Sequence, residues 1–156
     1  MTLDNIDKLI ALSKEKKQLI DEMFNFTKTL KSEIKKEDMD NLNYILDKKD
    51  KLIDNINKID VEFLTIFSQI KKDENIENID QLDVEAYPNL KELKDLVTDI
   101  SSVLVAISLL DEDNNKNMMK RIEETKMELK KVKEGQRAYK QYHKPIERSI
   151  LIDEKK

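Results

Sequence analysis

The fold is decided by residues 42–70, LNYILDKKDKLIDNINKIDVEFLTIFSQI, in which apolar residues recur at alternating spacings of three and four. The series is Leu42, Ile45, Lys49, Leu52, Ile56, Ile59, Phe63, Ile66 and Ile70. Eight of its nine members are apolar, and this alternation is typical of a helix packed along its whole length in coiled-coil fashion. We interpret the exception, Lys49, as structural, because a lysine can bury its stem while its ammonium group reaches water.

Two further long helices flank this one. Helices are expected over residues 3–36, 39–72 and 89–143, with an acidic connector over residues 73–88. The first reversal contains Asp38 and Asp40, either of which can cap the second helix. Pro88 marks the start of the third helix, since proline excludes helix from the preceding residue and suits a first helical turn. Asn89 and Glu92 have the spacing of a capping box.

The third helix contains a polar block, residues 111–117, in which Asp111 and Asn114 occupy positions of the apolar series. A turn within the block is one interpretation. A continuous helix is favoured, because the block lacks glycine and proline and the apolar spacing resumes in phase at Met118. At 1.5 Å per residue the third helix reaches ~80 Å and the first two ~50 Å each. The third helix is therefore expected to overhang the others.

The expected architecture is all-α: an elongated antiparallel bundle of three long helices, up-down-up, with the third helix longest. Gly135 is interpreted as a weak point in that helix and Pro145 as its end. The bundle domain therefore covers residues 1–144, and residues 145–156 form a short flexible C-terminal tail. Three helices with an overhang leave an unpaired helix face, which a fourth helix can fill.

The composition restricts the function. The chain of 156 residues is 40% charged, with a net charge of −4, one glycine, two prolines and no cysteine. Without cysteine there are no disulfides, no thiolate catalysis and no zinc–thiolate sites, and a single glycine does not build a phosphate-binding loop. The only histidine, His143, lies among cations, which disfavours a metal. We expect neither an enzyme nor a cofactor or metal site.

The distribution of charge and hydrophobicity also bears on location and partners. No apolar run approaches the ~18–20 residues of a membrane span, and Met1–Asn5 lacks the features of a secretory signal. A cytoplasmic protein without an integral membrane segment is expected. Residues 73–87 hold six acids and no base, whereas residues 126–145 hold seven lysines and arginines and two acids. Attraction between these two stretches is the simplest interpretation.

Three interpretations apply to the C-terminal residues. The tyrosines and the apolar run near the end can pack back on the bundle, the basic residues can contact nucleic acid, or the segment can engage another protein. The negative net charge disfavours nucleic acid. The candidate partner-binding residues are Ile122, Leu129, Val132, Tyr139, Tyr142, Ile150, Leu151 and Ile152.

Three segments follow one another in an order that is known from one family. DMDNLNYILDKKDKLIDNINKIDVEFL contains Leu42, a K-K-x-x-L-I-x-x-I-x-x-x-D run from Lys48 to Asp60, and then the aromatic Phe63. YPNLKELKDLVTDI opens the third helix. LLDEDNNKNMMKRIEETKMELKKVKEGQRAYKQY has an acidic, asparagine-containing break, a charged helix, and a glycine before tyrosine. Over residues 3–142 this pattern resembles the flagellar hook-filament junction export chaperones of the FlgN type.

The resemblance implies a cytoplasmic chaperone of flagellar type III export. Such a chaperone binds the C-terminal amphipathic helices of the hook-filament junction proteins, its cargo, prevents their premature assembly and delivers them to the export gate. The resemblance places cargo binding in the C-terminal half and export-gate contact at a tyrosine, for which Tyr139 and Tyr142 both qualify. The alternative is a self-assembling coiled-coil structural or adaptor protein without a flagellar role. Both a monomer and a dimer are compatible with the sequence.

Overall fold

A computed structural model shows three long helices, with no strand in the described part of the chain. The structure describes the backbone of residues 1–36 and 38–155 and the side chains of residues 1–36 and 38–142. The helices are α1 (Thr2–Ile34), α2 (Met39–Glu74) and α3 (Leu90–Lys155), and a short 3₁₀ turn (Ile79–Gln81) lies between α2 and α3. The prediction of an all-α fold whose third helix is the longest is confirmed.

The chain divides into two compact units. The bundle unit, Met1–Asn114, contains α1, α2, the connector and the beginning of α3. The C-terminal unit, Asn115–Lys156, contains the remainder of α3.

Two hydrophobic clusters form the core of the bundle unit. The first consists of Ile6, Leu9, Ile10, Ile70, Leu82, Leu90 and Leu93. The second consists of Ile20, Met23, Leu52, Ile56, Ile100 and Ile107. All of these side chains are buried, and burial of an aliphatic side chain stabilises a fold by roughly 1.5–3 kcal/mol when the side chain is fully buried.

The membership of the two clusters fixes the helix directions. Ile6 of α1 meets Ile70 of α2 and Leu90 of α3 in the first cluster. Fourteen residues further along α1, Ile20 meets Ile56 and Ile100 in the second cluster. Residue numbers therefore rise along α1, fall along α2 and rise along α3 between the same two clusters. This is the predicted up-down-up order.

A polar layer replaces the apolar core where the sequence shows its polar block. The ammonium group of Lys49 lies 2.7 Å from a carboxylate oxygen of Asp111, and both residues stand in the apolar series of their helices. Asn114, which is buried, donates from Nδ2 to the backbone oxygen of Thr27 at 3.1 Å. α3 is continuous through residues 111–117, as the phase of the apolar spacing predicted. Lys49 and Asp111 therefore pair with each other across the bundle, and Asn114 bonds the backbone of α1.

The first reversal is set by a helix cap. Asp38 has an extended backbone and accepts a hydrogen bond from the backbone N–H of Asn41 at 3.1 Å. Of the two aspartates that were candidates for this cap, the structure selects Asp38. The C-terminal cap of α2 is Asn75, whose φ of 53° lies in the left-handed region. Its backbone N–H donates a hydrogen bond to the backbone oxygen of Lys71. Asparagine tolerates this conformation better than most residues.

The connector is tied to both neighbouring helices by one carboxylate. Glu74 accepts hydrogen bonds at Oε1 from the hydroxyl of Thr2 at 2.6 Å and from the hydroxyl of Tyr87 at 2.5 Å. The bond from Thr2, followed by that from Tyr87, holds the pKa of Glu74 below its ordinary value. The same carboxylate, together with burial, raises the pKa of Tyr87. The start of α1, the end of α2 and the approach to α3 therefore meet at Glu74.

The capping interaction that the spacing of Asn89 and Glu92 suggested is not formed. Asn89 instead donates from Nδ2 to α1, to a carboxylate oxygen of Asp7 at 2.7 Å and to the backbone oxygen of Leu3 at 3.1 Å. Its Oδ1, the atom that a cap would use, is buried without a hydrogen-bond partner among the described residues. The amide is oriented by its contacts with α1, so Asn89 joins two helices rather than closing one.

The end of α3 also differs from the expectation. The helix extends to Lys155, past Pro145 and past the expected end at residue 143. The φ of proline, fixed near −65°, is helical, but inside a helix proline removes one N–H donor and its ring crowds a carbonyl of the preceding turn, at a cost of about 3 kcal/mol. The side chains of Ile150, Leu151 and Ile152 lie outside the described residues.

Candidate partner-binding surface

The candidate residues of the C-terminal unit whose side chains are described are all exposed. They are Ile122, Leu129, Val132, Tyr139 and Tyr142, and their exposed fractions run from 44% for Ile122 to 82% for Tyr142. No residue between 115 and 142 is buried. Single exposed apolar side chains are ordinary on a protein surface, but a series of them along one helix marks a contact surface.

Four of these residues share one face of α3, which we call the apolar stripe. Ile122, Leu129, Val132 and Tyr139 follow heptad spacing, in which Thr125 and Gln136 occupy the intervening positions. Side chains three and four residues apart stand on the same side of a helix. Tyr142 lies three residues beyond Tyr139, at one edge of this face. The stripe has the same alternation of three and four as the core positions of α3, and it begins after two successive spacings of four, from Asn114 to Met118 and from Met118 to Ile122.

A row of cations borders the apolar stripe. Lys126, Lys133 and Lys140 recur every seven residues, each directly after a stripe position, and so lie on one flank of it. None of the three forms an ion pair within residues 1–36 and 38–142. This flank therefore presents one positive charge every seven residues, which is the repeat of a helix that packs alongside in coiled-coil fashion.

A shallow depression interrupts the stripe near its C-terminal end. It is lined by Val132, Gly135, Gln136, Tyr139 and Lys140. Gly135 creates the depression because it has no side chain, and a Cβ atom placed on it meets no atom within 4 Å.

The bundle unit offers a different kind of space. A cavity of about 180 Å³ lies among its three helices, and its lining includes Ser13 and Lys16 of α1, from the stretch in which the apolar pattern of α1 becomes polar. Lys16 and Asp60, both in the lining, form an ion pair of 2.6 Å. The cavity thus lies beside a polar contact inside the bundle.

Part of this surface was not recognised in the sequence. The Lys126–Lys133–Lys140 row is visible only when the lysines are placed in the register of the stripe, because the region is basic throughout. The sequence alone gives Gly135 the interpretation of a weak point in the helix and predicts no depression there. Its signal in the sequence is that the glycine stands beside the stripe, with Val132, Gln136 and Tyr139 around it.

A metal site and a membrane span each have requirements with which the described residues can be compared. No group of three or more His, Asp or Glu side chains within residues 1–36 and 38–142 is arranged to hold a metal ion. In the same described part of the chain, no helix has the length and apolar character needed to cross a bilayer. The arrangement that the structure does show is a helix face with exposed apolar residues and a charged border, which is suited to binding another helix.

A family model described as FlgN protein matches residues 1–147. Comparisons with curated proteins and with solved structures give no match. The family match spans all three helices up to two residues past Pro145, and therefore includes the whole apolar stripe with its lysine row. The chain belongs to the FlgN family of flagellar type III export chaperones.

Proposed function

We propose that this protein acts in the cytoplasm as the chaperone of the hook-filament junction proteins. It binds their C-terminal amphipathic helices, prevents these segments from assembling prematurely, and delivers them to the export gate. Membership of the FlgN family supports the chaperone role. The observation that carries the cargo assignment is the exposed apolar stripe of the C-terminal unit.

The physical basis is mutual burial of two apolar faces. An amphipathic cargo helix laid along the stripe removes Ile122, Leu129 and Val132 from water, at roughly 1.5–3 kcal/mol for each fully buried aliphatic side chain. The same contact covers the apolar face by which the cargo helix would otherwise associate with other copies. No nucleotide or covalent step is needed, because release can follow from competition at the gate.

The export-gate contact is proposed for the tyrosines. Tyr139 and Tyr142 are 67% and 82% exposed, and tyrosine supplies a large apolar surface with a polar end, which favours it at interfaces. Tyr139 belongs to the stripe and is shared with the cargo surface. Tyr142 lies at the edge and is therefore the stronger candidate for contact with the gate.

The cargo assignment is tested by calorimetry with C-terminal segments of the junction proteins encoded in the same genome. Leu129→Asp places a charge in the stripe and is expected to weaken binding at least about tenfold, since a buried unpaired charge is costly. Met127→Asp is the matched control, because Met127 is equally apolar and 62% exposed but lies on the opposite face of α3. Equal binding by both variants would contradict the proposed site, and no binding by the natural chain would contradict the proposed function.

Self-assembly is the competing explanation of the same stripe. Exposed heptad positions can be covered by a second copy, which would make this a coiled-coil structural or adaptor protein. Sedimentation of the natural chain with and without a junction segment separates the two. A chaperone is expected to form a complex with one cargo chain, whereas an oligomer that ignores the segment would favour self-assembly.

A further inference from the structure

Gly135 has no internal reason to be glycine. It lies inside α3, its φ is not positive, and a Cβ atom added to it meets nothing within 4 Å. Glycine is the least favourable helix residue after proline, and it is required where φ is positive or where another group approaches the backbone closely. Neither the backbone conformation nor a neighbour in the described part of the chain requires it, and the backbone at Gly135 is therefore open to a group that packs against α3.

The residues around Gly135 have the arrangement of a coiled-coil hole. Val132, Gly135, Gln136 and Tyr139 stand at positions i, i+3, i+4 and i+7 and line one depression. In coiled-coil packing, a side chain of one helix inserts between four residues of the facing helix. Because one of the four walls here lacks a side chain, this hole accepts a larger side chain, or a closer backbone, than its neighbours along the stripe.

The opposite flank of the stripe specifies the charge of the occupant. Lys126, Lys133 and Lys140 directly follow Thr125, Val132 and Tyr139, whereas Gly135 stands on the other side of the stripe. Residues 115–142 hold nine lysines and arginines and four glutamates. A helix whose own flank carries Glu or Asp every seven residues matches the lysine row in spacing and in sign.

We infer that the C-terminal unit receives one amphipathic helix with an acidic flank, and that a large apolar side chain of this helix enters the hole at Gly135. The inference rests on the proposed function, since the helix is the one that the chaperone would take from its cargo. It adds the register of that helix on α3 and the chemistry by which it is recognised.

The hole is tested by enlarging residue 135 in the full chain. Gly135→Leu fills the hole and is expected to weaken binding of a junction protein's C-terminal segment at least about tenfold, as overpacking does elsewhere. Gly135→Ala fills it partly and is expected to bind more weakly than the natural chain while its helicity by circular dichroism is equal or higher. Glu134→Leu is the control, because residue 134 lies on the far side of the helix and gains the same side chain.

The lysine row is tested by charge reversal at two neighbouring positions. Lys133→Glu is expected to weaken binding by about threefold or more at low salt, and less as salt screens the pairs. Lys131→Glu changes the net charge equally but stands away from both the stripe and the lysine row. A loss that is equal in the two variants would show that only the overall charge attracts the segment, and would overturn the inferred flank.

The outcomes separate this inference from the function on which it rests. If the natural chain binds no junction segment, the proposed function fails and the inference fails with it. If the natural chain binds and Gly135→Leu binds equally well, the inference alone fails. If the natural chain self-associates and Gly135→Leu does not, while both bind cargo equally, the occupant is a second copy. The inferred cargo register is then overturned.

Discussion

Lys49 and Asp111 form a pair whose two members are exposed to very different degrees. The side chain of Lys49 is 10% exposed and that of Asp111 is 42% exposed. Removing Asp111 leaves an ammonium group buried without its partner, whereas removing Lys49 leaves a carboxylate that water can reach. Substituting Asp111 is therefore expected to lower the free energy of unfolding more than substituting Lys49.

We expect Asp111→Ala to lower the free energy of unfolding by about 2 kcal/mol. Lys49→Met retains the buried stem and is expected to cost about 1 kcal/mol or less. Urea unfolding of the two variants measures the difference. A larger cost for Lys49→Met than for Asp111→Ala would contradict the assignment of Lys49 as the buried member of the pair.

The Glu74 contacts make part of the stability dependent on pH. Because hydrogen bonds from Thr2 and Tyr87 hold the pKa of Glu74 below its ordinary value, their contribution is complete above the ordinary glutamate pKa of about 4.3. It is lost as the pH falls below that value, through the lower pKa of the folded state. The raised pKa of Tyr87 acts at the other extreme: its contribution is present below about 10 and is lost as the pH rises further.

Glu74→Gln is expected to reduce the difference in unfolding free energy between neutral pH and mild acid. Urea unfolding at several pH values measures this difference. Glu77→Gln serves as the control, since it removes an exposed carboxylate from the same connector. A natural chain and a Glu74→Gln variant that lose stability in parallel on acidification would contradict the role given to Glu74.

At the scale of elements, the first reversal depends on one of two nearby aspartates. Asp38→Ala removes the side-chain acceptor that binds the N–H of Asn41, and is expected to lower the free energy of unfolding by about 1 kcal/mol. Asp38→Asn retains an acceptor and is expected to be close to neutral. Asp40→Ala, in the first turn of α2, is the matched control and is expected to cost less than Asp38→Ala. Equal costs at the two positions would contradict the assignment of the cap.

The helices themselves could be predicted because each must bury a continuous apolar face. A seam such as that from Leu42 to Ile70 is visible in the sequence alone, since helical spacing is a local property. The partner of Lys49 could not be predicted in this way. Asp111 lies 62 residues away, and their meeting depends on the register of α3 against α2, which local spacing does not specify.

The candidate surface likewise has one feature that could be predicted from the sequence and one that could not. The apolar stripe was predictable because Ile122, Leu129 and Val132 keep the heptad spacing where it is no longer needed for the core. The hole at Gly135 was not predicted, because a glycine inside a helix is interpreted first as a weak point, and the hole is recognised only from the stripe residues that surround it. The extension of α3 past Pro145 was missed because proline is a statistical rather than an absolute end of a helix.

At the scale of the whole molecule, charge is divided between the two units. Residues 1–114 hold sixteen lysines and arginines and twenty-six acids, whereas residues 115–156 hold thirteen and seven. The net charges are therefore −10 and +6. An acidic partner is repelled by the first unit and attracted by the second, so long-range electrostatics favours encounter at the unit that bears the stripe.

The two units also differ in what stabilises their helical structure. Both hydrophobic clusters lie in the bundle unit, whereas no side chain between residues 115 and 142 is buried. A helix without tertiary packing is only marginally stable in water. We expect amide hydrogens of α1, α2 and residues 90–114 to exchange through global unfolding, and those of residues 115–142 to exchange through local opening of lower free energy.

Hydrogen exchange followed by mass spectrometry on the full chain measures this difference. Adding a C-terminal segment of a junction protein is expected to slow exchange in residues 115–142, most strongly around Val132–Tyr139, because the bound helix supplies the packing that this unit lacks. Exchange in the bundle unit is the internal control and is expected to change little. Equal protection of the two units in the free chain would contradict the view that the C-terminal unit gains its stability from a partner.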